Sequence, residues 1–215
     1  AQIADRINSL GVVSQESIQA ALKADVYEYE FIEQIPEREN KLEGYLFPDT
    51  YEIYKNTTAE AIIRKLLERF DDVFTEEFRN RAEELNMSID QVVTLASIIE
   101  REARLDKERK TISGVFHNRL KKRMLLQSCA TVQYLLKEPK EDLLYEDLEI
   151  DSPYNTYKYA GLPPGPIASP GLASIEAALY PEDTDLLYFF ALDDGSHIFT
   201  KTYNEHIDAQ NKYRK

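Results

Sequence analysis

Leu95-Ala96-Ser97-Ile98-Ile99-Glu100-Arg101-Glu102 sets a carboxylate into an apolar helical face. Ser88 opens that helix, with Gln91 three residues on in the pattern of a capping box. At about 100° per residue, Val92, Leu95, Ala96, Ile99 and Ala103 form one buried stripe. Glu100 falls on the same half of the wheel, between Val93 and Ala96. Asp90, Ser97, Arg101 and Arg104 take the side expected to be solvated. A buried carboxylate is costly unless it is paired or protonated. Apolar surroundings raise its pKa, which suits a general acid working near neutral pH. The plainer reading of Glu100 is a stripe-edge residue that reaches water or an arginine.

Outward from this helix, the pattern is mostly helical. Thr57 with Glu60 reads as a capping box before Ile62, Ile63, Leu66, Leu67 and Phe70. A strongly charged helix is expected from Thr75 to about Leu85. On the other side Ile112, Val115, Phe116 and Leu120 continue helical spacing. The amino-terminal part reads as two short helices. Ile3, Ile7 and Leu10 carry the first; Ser14 caps the second, with Ile18, Ala21 and Leu22. Val26 to Ile32 alternate as an extended strand. Pro36 and the charged run Glu37 to Lys41 mark a boundary. Leu42 to Tyr51, aromatic and interrupted by Pro48, suits an irregular strand or loop. Residues 127–171 are rich in turns, including Gly161-Leu162-Pro163-Pro164-Gly165-Pro166, a stiff loop suited to holding side chains or merely to connecting. A hairpin is expected from Leu186–Leu192 and His197–Thr200, turning at Asp194-Gly195, and a last helix from Tyr203.

Composition narrows the function. The chain has 215 residues, with 39 acidic against 26 basic and a net charge of −13. That balance argues against a nucleic-acid partner, since phosphate binding needs clustered cations. The basic groups Arg119 to Arg123 and Lys212 to Lys215 read as solvated helix ends. No apolar run approaches the ~20 residues of a membrane span, and no signal peptide opens the chain. Ala1 is followed at once by a helical pattern, so the chain is expected to begin inside a longer protein. Fourteen tyrosines without a tryptophan suit a sugar cleft, and equally an ordinary core.

Other chemistries find little support. His117, His197 and His206 lack metal-ligand spacing and read as hydrogen-bonding or surface residues; no metal and no cofactor is expected. Cys129, the single cysteine, reads as a packing residue, and no G-x-S-x-G or phosphate cradle is present. Carboxylate chemistry remains. Glu102 lies about 200° around the helix from Glu100, so the two diverge and do not flank one bond. Glu102 therefore reads as an ion-pair partner, with Glu100, if catalytic, working with neutral helpers or with a group on the substrate.

Together these motifs resemble the MltG/YceG family of endolytic murein transglycosylases. The residues that carry the resemblance are Leu42-Glu43-Gly44-Tyr45-Leu46-Phe47-Pro48-Asp49-Thr50-Tyr51, the Glu100 stretch, Val115-Phe116-His117-Asn118-Arg119-Leu120, Leu126-Gln127-Ser128 with Thr131-Val132, and Tyr154-Asn155-Thr156-Tyr157. Gly161-Leu162-Pro163-Pro164-Gly165, Ile167-Ala168-Ser169-Pro170-Gly171 and Gly195-Ser196-His197-Ile198-Phe199 complete the set, in family order over about residues 42 to 213. One departure is Cys129-Ala130, where the family commonly has Asp-Pro.

The resemblance implies an α+β chain: a partial LysM-like mixed subdomain over residues 1–41, then a helix-rich YceG-like catalytic domain over 42–215 with a short β-hairpin. It implies Glu100 as the one catalytic acid/base, cleaving between MurNAc and GlcNAc of peptidoglycan to leave 1,6-anhydroMurNAc ends. Glu43, Asn118, Gln127, Ser128, Tyr154, Asn155 and Thr156 are the implied substrate-binding residues, and at least one of Tyr154, Asn155 and Thr156 is expected within hydrogen-bonding range of Glu100, directly or through one water. An amino-terminal membrane anchor ahead of the chain, an extracytoplasmic catalytic domain and peptidoglycan synthases as partners follow from the same resemblance. Two rival readings stand beside it: a muramidase pairing Glu100 with Glu43 or Asp49, and a non-catalytic peptidoglycan-binding module.

Overall fold

The computed structural model describes residues 2–136, 138 and 140–213. Short helices open it: α1 (Gln2–Ser9), α2 (Gln15–Lys23) and one turn, α3 (Glu30–Glu33). Ser14 caps α2 by accepting the N–H of Ser17. The alternation over 26–32 does not give a strand. Tyr27 folds back to donate its hydroxyl to the Ala21 carbonyl at 2.9 Å. Phe31 and Ile32, adjacent in sequence, are then both buried on one helical turn, which strand alternation does not allow.

The long helices follow: α4 (Ala59–Val73), α5 (Glu76–Glu84), α6 (Ile89–Glu102) and α7 (Arg109–Lys121), the last entered through a 3₁₀ turn at Asp106–Glu108. Thr58, one residue later than the sequence suggests, caps α4 by accepting the Ala61 N–H; Thr57 is occupied with the Tyr54 N–H. The Ser88–Gln91 capping box of α6 is present in both directions. Then come α8 (Cys129–Leu135), α9 (Tyr145–Leu148) and α10 (Leu172–Leu179). Strands β1 (Tyr188–Ala191) and β2 (His197–Thr200) form an antiparallel hairpin in which Phe189 faces Phe199, and α11 (Tyr203–Tyr213) packs on it. Arg214 and Lys215 of the terminal basic group lie outside the described residues.

A row of rings ties the amino-terminal part to the long helices. Phe31 stacks on Tyr45 at 5.3 Å and meets Phe70 at 4.8 Å. Phe70, Phe74 and Phe78 continue it toward Tyr180 after α10. This is why the aromatic stretch 42–51 is irregular: Leu42, Tyr45, Leu46 and Phe47 are all buried as anchors. Gly44 is required there. Its φ is +92°, and a Cβ would come within 2.5 Å of Pro166.

Helix α6 is covered almost all round, so two residues expected on its solvated side are buried. Ser97 is fully buried and accepts the Ile167 N–H at 3.0 Å. Asp90 is buried against Arg38 and Tyr45. The cover is the proline-rich segment, which runs the length of α6. The Pro164 carbonyl meets Arg38 near the first turn, Ile167 meets Ser97, and Gly171 meets Glu100 at the last turn.

Candidate active site

Glu100 lies in the last turn of α6, and its carboxylate is held from one side. The Ser174 hydroxyl donates to Oε2 at 2.7 Å, the Gly171 N–H at 3.2 Å, and Arg109 Nη1 reaches the same oxygen at 3.4 Å. Among the described residues Oε1 has no hydrogen bond, and the side chain is 30% exposed. The expectation of an apolar enclosure is therefore corrected. The plainer alternative of an arginine partner is present, as Arg109. The three donors come from two helix starts: Arg109 begins α7, while Gly171 is the residue before α10 and Ser174 is in its first turn. The carboxylate thus sits at the positive end of α10, where negative charge is favoured.

Glu102 points elsewhere, as the divergence on the wheel requires. Its Oε1 accepts from the Ser128 hydroxyl and from the Ala130 N–H at 3.2 Å. It thereby serves the first turn of α8, and among the described residues it makes no salt bridge. Its reading as an ion-pair partner is replaced by one of helix capping by neutral donors.

The implied substrate-binding residues divide into groups. Gln127, Ser128 and Thr156 are brought together. Gln127 is exposed and adopts a left-handed φ of 49°, and its N–H binds the Thr156 carbonyl at 3.0 Å. The next N–H, that of Ser128, donates to Thr156 Oγ1 at 3.0 Å. Thr131 closes the set at 2.8 Å from the same oxygen. This cluster reaches Glu102 through Ser128. Tyr154, Asn155 and Thr156 make no direct hydrogen bond to Glu100, whose described partners are Arg109, Gly171 and Ser174. Asn155 is fully buried, donating to the Leu148 and Ile150 carbonyls at 2.9 and 2.8 Å. Asn118 donates to the Thr184 and Leu186 carbonyls, fixing the chain that enters the hairpin.

Glu43 and Tyr154 gather around Tyr134. The two rings lie 5.2 Å apart. The Tyr134 hydroxyl is pushed up to about 12, chiefly by burial and then by the Glu43 carboxylate. Asp49, a partner in the muramidase reading, is paired with Arg69 at 2.8 Å.

The basic end Arg119–Arg123 is not wholly solvated. Arg119 is buried and donates to the carbonyls of Leu187 at 2.6 Å, Leu126 at 2.9 Å and Leu125 at 3.1 Å. Burial lowers its pKa, against the opposing pull of the Tyr188 and Tyr157 phenols. His117 donates from Nε2 to the Ala178 carbonyl at 2.8 Å, while His197 meets Glu108 at 2.8 Å.

A helix-rich domain presenting a carboxyl group with one oxygen tethered and the other open is the frame of an acid–base site. The chain belongs to the YceG-like family, whose model matches residues 1–212. An endolytic murein transglycosylase of Bacillus subtilis is 47% identical over 173 residues, covering 80% of this chain and 48% of that protein. One from Streptococcus pneumoniae is 34% identical over 227 residues, covering 95% of this chain and 41% of that protein. The chain thus spans about half the length, or less, of these curated relatives. The crystal structure of a YceG-like protein from Listeria monocytogenes superposes with a TM-score of 0.86 at 39% identity, covering 97% of this chain and 72% of that one.

Sequence reasoning reached Glu100 and the segment ending in Gly171, but not Arg109 or Ser174. Ser174 stands 74 residues from Glu100, and only the packing of α10 on α6 brings them together.

Proposed function

We propose that this chain is the catalytic part of an endolytic lytic transglycosylase acting on peptidoglycan strands. The observation that carries the reading is the Glu100 carboxyl group, tethered at Oε2 and open at Oε1, in a family whose relatives carry that name. The open oxygen is where a proton can be given and taken. Glu100 donates it to the oxygen bridging MurNAc and GlcNAc. The C1–O bond breaks, the GlcNAc hydroxyl departs, and an oxocarbenium-like centre remains. The Glu100 carboxylate then takes the proton of the MurNAc C6 hydroxyl while that oxygen bonds to C1. Glu100 returns to its acid form, the ring closes as 1,6-anhydroMurNAc, and no water is consumed. Because the C6 hydroxyl belongs to the same sugar, the second step needs no bimolecular encounter.

In this proposal Glu43, Gln127 and Tyr154, all at least partly exposed, contact the glycan. Asn118, Ser128, Asn155 and Thr156 belong to the binding region as the groups that hold its walls. Residues 1–41, whose α2 packs on α4, form the partial LysM-like subdomain, and residues 42–215 the catalytic domain. No described helix is long and apolar enough to cross a membrane. An anchor preceding this chain, an extracytoplasmic setting and synthase partners are part of the proposal through the family resemblance of the sequence motifs alone.

Digestion of purified glycan strands with analysis of the new ends by mass spectrometry tests it. Anhydro ends, one water lighter than reducing ends, are expected. Hydrated ends would establish a muramidase, and binding without new ends a non-catalytic module.

A further inference from the structure

We infer that Arg109 and Ser174 are positioning residues for Glu100, joined in a one-way hydrogen-bond relay that assigns the transferable proton to Oε1 and steadies the carboxylate left after its departure. The inference rests on the acid–base reading of Glu100 given above.

The direction of the relay follows from donor chemistry. A guanidinium has five N–H donors and no acceptor. Arg109 Nη1 stands 2.6 Å from Ser174 Oγ, so the serine oxygen must accept there. Its single hydrogen is then free for one other partner, and Glu100 Oε2 lies 2.7 Å away. The relay therefore runs Arg109 to Ser174 to Glu100 and does not reverse while the arginine is in place. The Gly171 N–H points at the same oxygen from 3.2 Å. A hydrogen on Oε2 would face three donors and no acceptor, so the proton of the acid form resides on Oε1. That is the oxygen without a partner among the described residues, on a side chain 30% exposed.

The surroundings keep this arrangement effective. Ser174 is fully buried and the Arg109 side chain only 13% exposed, so the relay is shielded from water, whereas its far contact to Asp106 is with a residue 86% exposed. Donors already aimed at the oxygen where charge grows need no reorganisation during the reaction. Three segments must meet for this: the end of α6, the start of α7, and the end of the proline-rich segment running into α10. Removal of the relay should thus lower the rate of bond cleavage and leave glycan binding nearly unchanged.

The test is a steady-state comparison of Ser174→Ala, Ser174→Thr, Arg109→Gln, Arg109→Lys and the double variant Ser174→Ala/Arg109→Gln. The assay counts 1,6-anhydroMurNAc ends, and thermal unfolding gives the folded fraction of each protein. Ser174→Ala and Arg109→Gln should each lower kcat about tenfold or more while KM stays within about twofold. Ser174→Thr, which keeps the hydroxyl, and Arg109→Lys, which keeps a cation, should each recover part of the loss. The double variant should be no slower than about the worse single variant, because both act through one oxygen. A Ser174→Ala enzyme with wild-type kcat, a loss carried by KM, a loss matched by the unfolded fraction, or losses that multiply in the double variant would each overturn the relay. If Glu100→Gln remains active, the acid–base reading falls and the relay with it. If Glu100→Gln is inactive and Ser174→Ala is not, only the relay falls.

Discussion

The two ends of α6 each carry an acidic residue facing an arginine, and they use it in opposite ways. At the first turn Asp90 is saturated: Oδ1 accepts from Arg38 Nη2 at 2.9 Å and from the Tyr45 hydroxyl at 2.8 Å, and Oδ2 from Arg38 Nη1 at 3.0 Å. Both charged side chains there are 8% exposed. Burial works against the Arg38 cation, but the Asp90 carboxylate more than offsets this and its pKa ends above the usual value. At the last turn Glu100 uses one oxygen and keeps the other open, with its arginine at 3.4 Å and not in a two-pronged clasp. Asp90 has both oxygens engaged, whereas Glu100, the proposed acid, has one engaged and one open. The same pair of residue types therefore says little until its oxygens are followed one by one.

The largest expected effect separates the two ends by function. Glu100→Gln retains the shape and an acceptor for Ser174 but cannot exchange a proton. Production of anhydro ends should fall about 10²–10⁴-fold, with an unfolding midpoint close to wild type. End counting by mass spectrometry alongside thermal unfolding checks both halves. A variant cutting at near wild-type rate would remove the distinction altogether.

The next effect is on stability and belongs to the other end. Asp90→Ala leaves the Arg38 cation buried without its counter-charge and takes the acceptor from Tyr45. Breaking a buried pair this way costs about 3–5 kcal/mol. Denaturant unfolding should show that loss, while kcat per folded molecule remains within a few-fold of wild type. A stable Asp90→Ala protein with impaired cleavage would mean that the first turn of α6 takes part in the reaction.

This contrast also explains what was readable from residues alone. Ser88 with Gln91, the hairpin around Gly195 and the last helix depend on neighbours in sequence, and all are present. Glu100 was legible because a carboxylate at the edge of an apolar stripe is visible on a helical wheel. The burial of Asp90 and Ser97 was not, because it depends on Arg38 and Ile167, which reach α6 only through tertiary packing. The alternation over 26–32 comes from Tyr27 and Phe31 packing independently into the core, with no neighbouring strand among the described residues to make use of it. The serine and arginine at Glu100 are invisible for the same reason as Arg38: no spacing in the chain announces them.

Glu102 provides a smaller and sharper test, since it too has one oxygen engaged while lying only two residues from Glu100. Its donors are neutral, and a glutamine carbonyl can still accept from Ser128 and Ala130, though more weakly than a carboxylate. Glu102→Gln should therefore change stability by about 1 kcal/mol or less and leave cleavage within a few-fold. An effect as large as that of Glu100→Gln would make Glu102 a second reacting carboxyl group. The reading of the last turn as holding one acid and one cap would then be wrong.

The smallest effect is expected just beyond that cap. Cys129 is exposed at the start of α8, with Sγ 3.1 Å from the Tyr157 hydroxyl, whose pKa is raised by burial and then by the thiol. A thiol and not a carboxylate stands at this place. Serine preserves a small group that can donate to or accept from Tyr157, and the Ser128 and Ala130 contacts with Glu102 do not involve the thiol. Cys129→Ser should accordingly shift stability by no more than about 0.5 kcal/mol and cleavage by no more than about twofold. Thermal unfolding and end counting measure both. A folded Cys129→Ser protein that had lost cleavage would place the α8 end among the reacting groups. The line drawn between the tethered acid Glu100 and the capping residue Glu102 would then have to be moved.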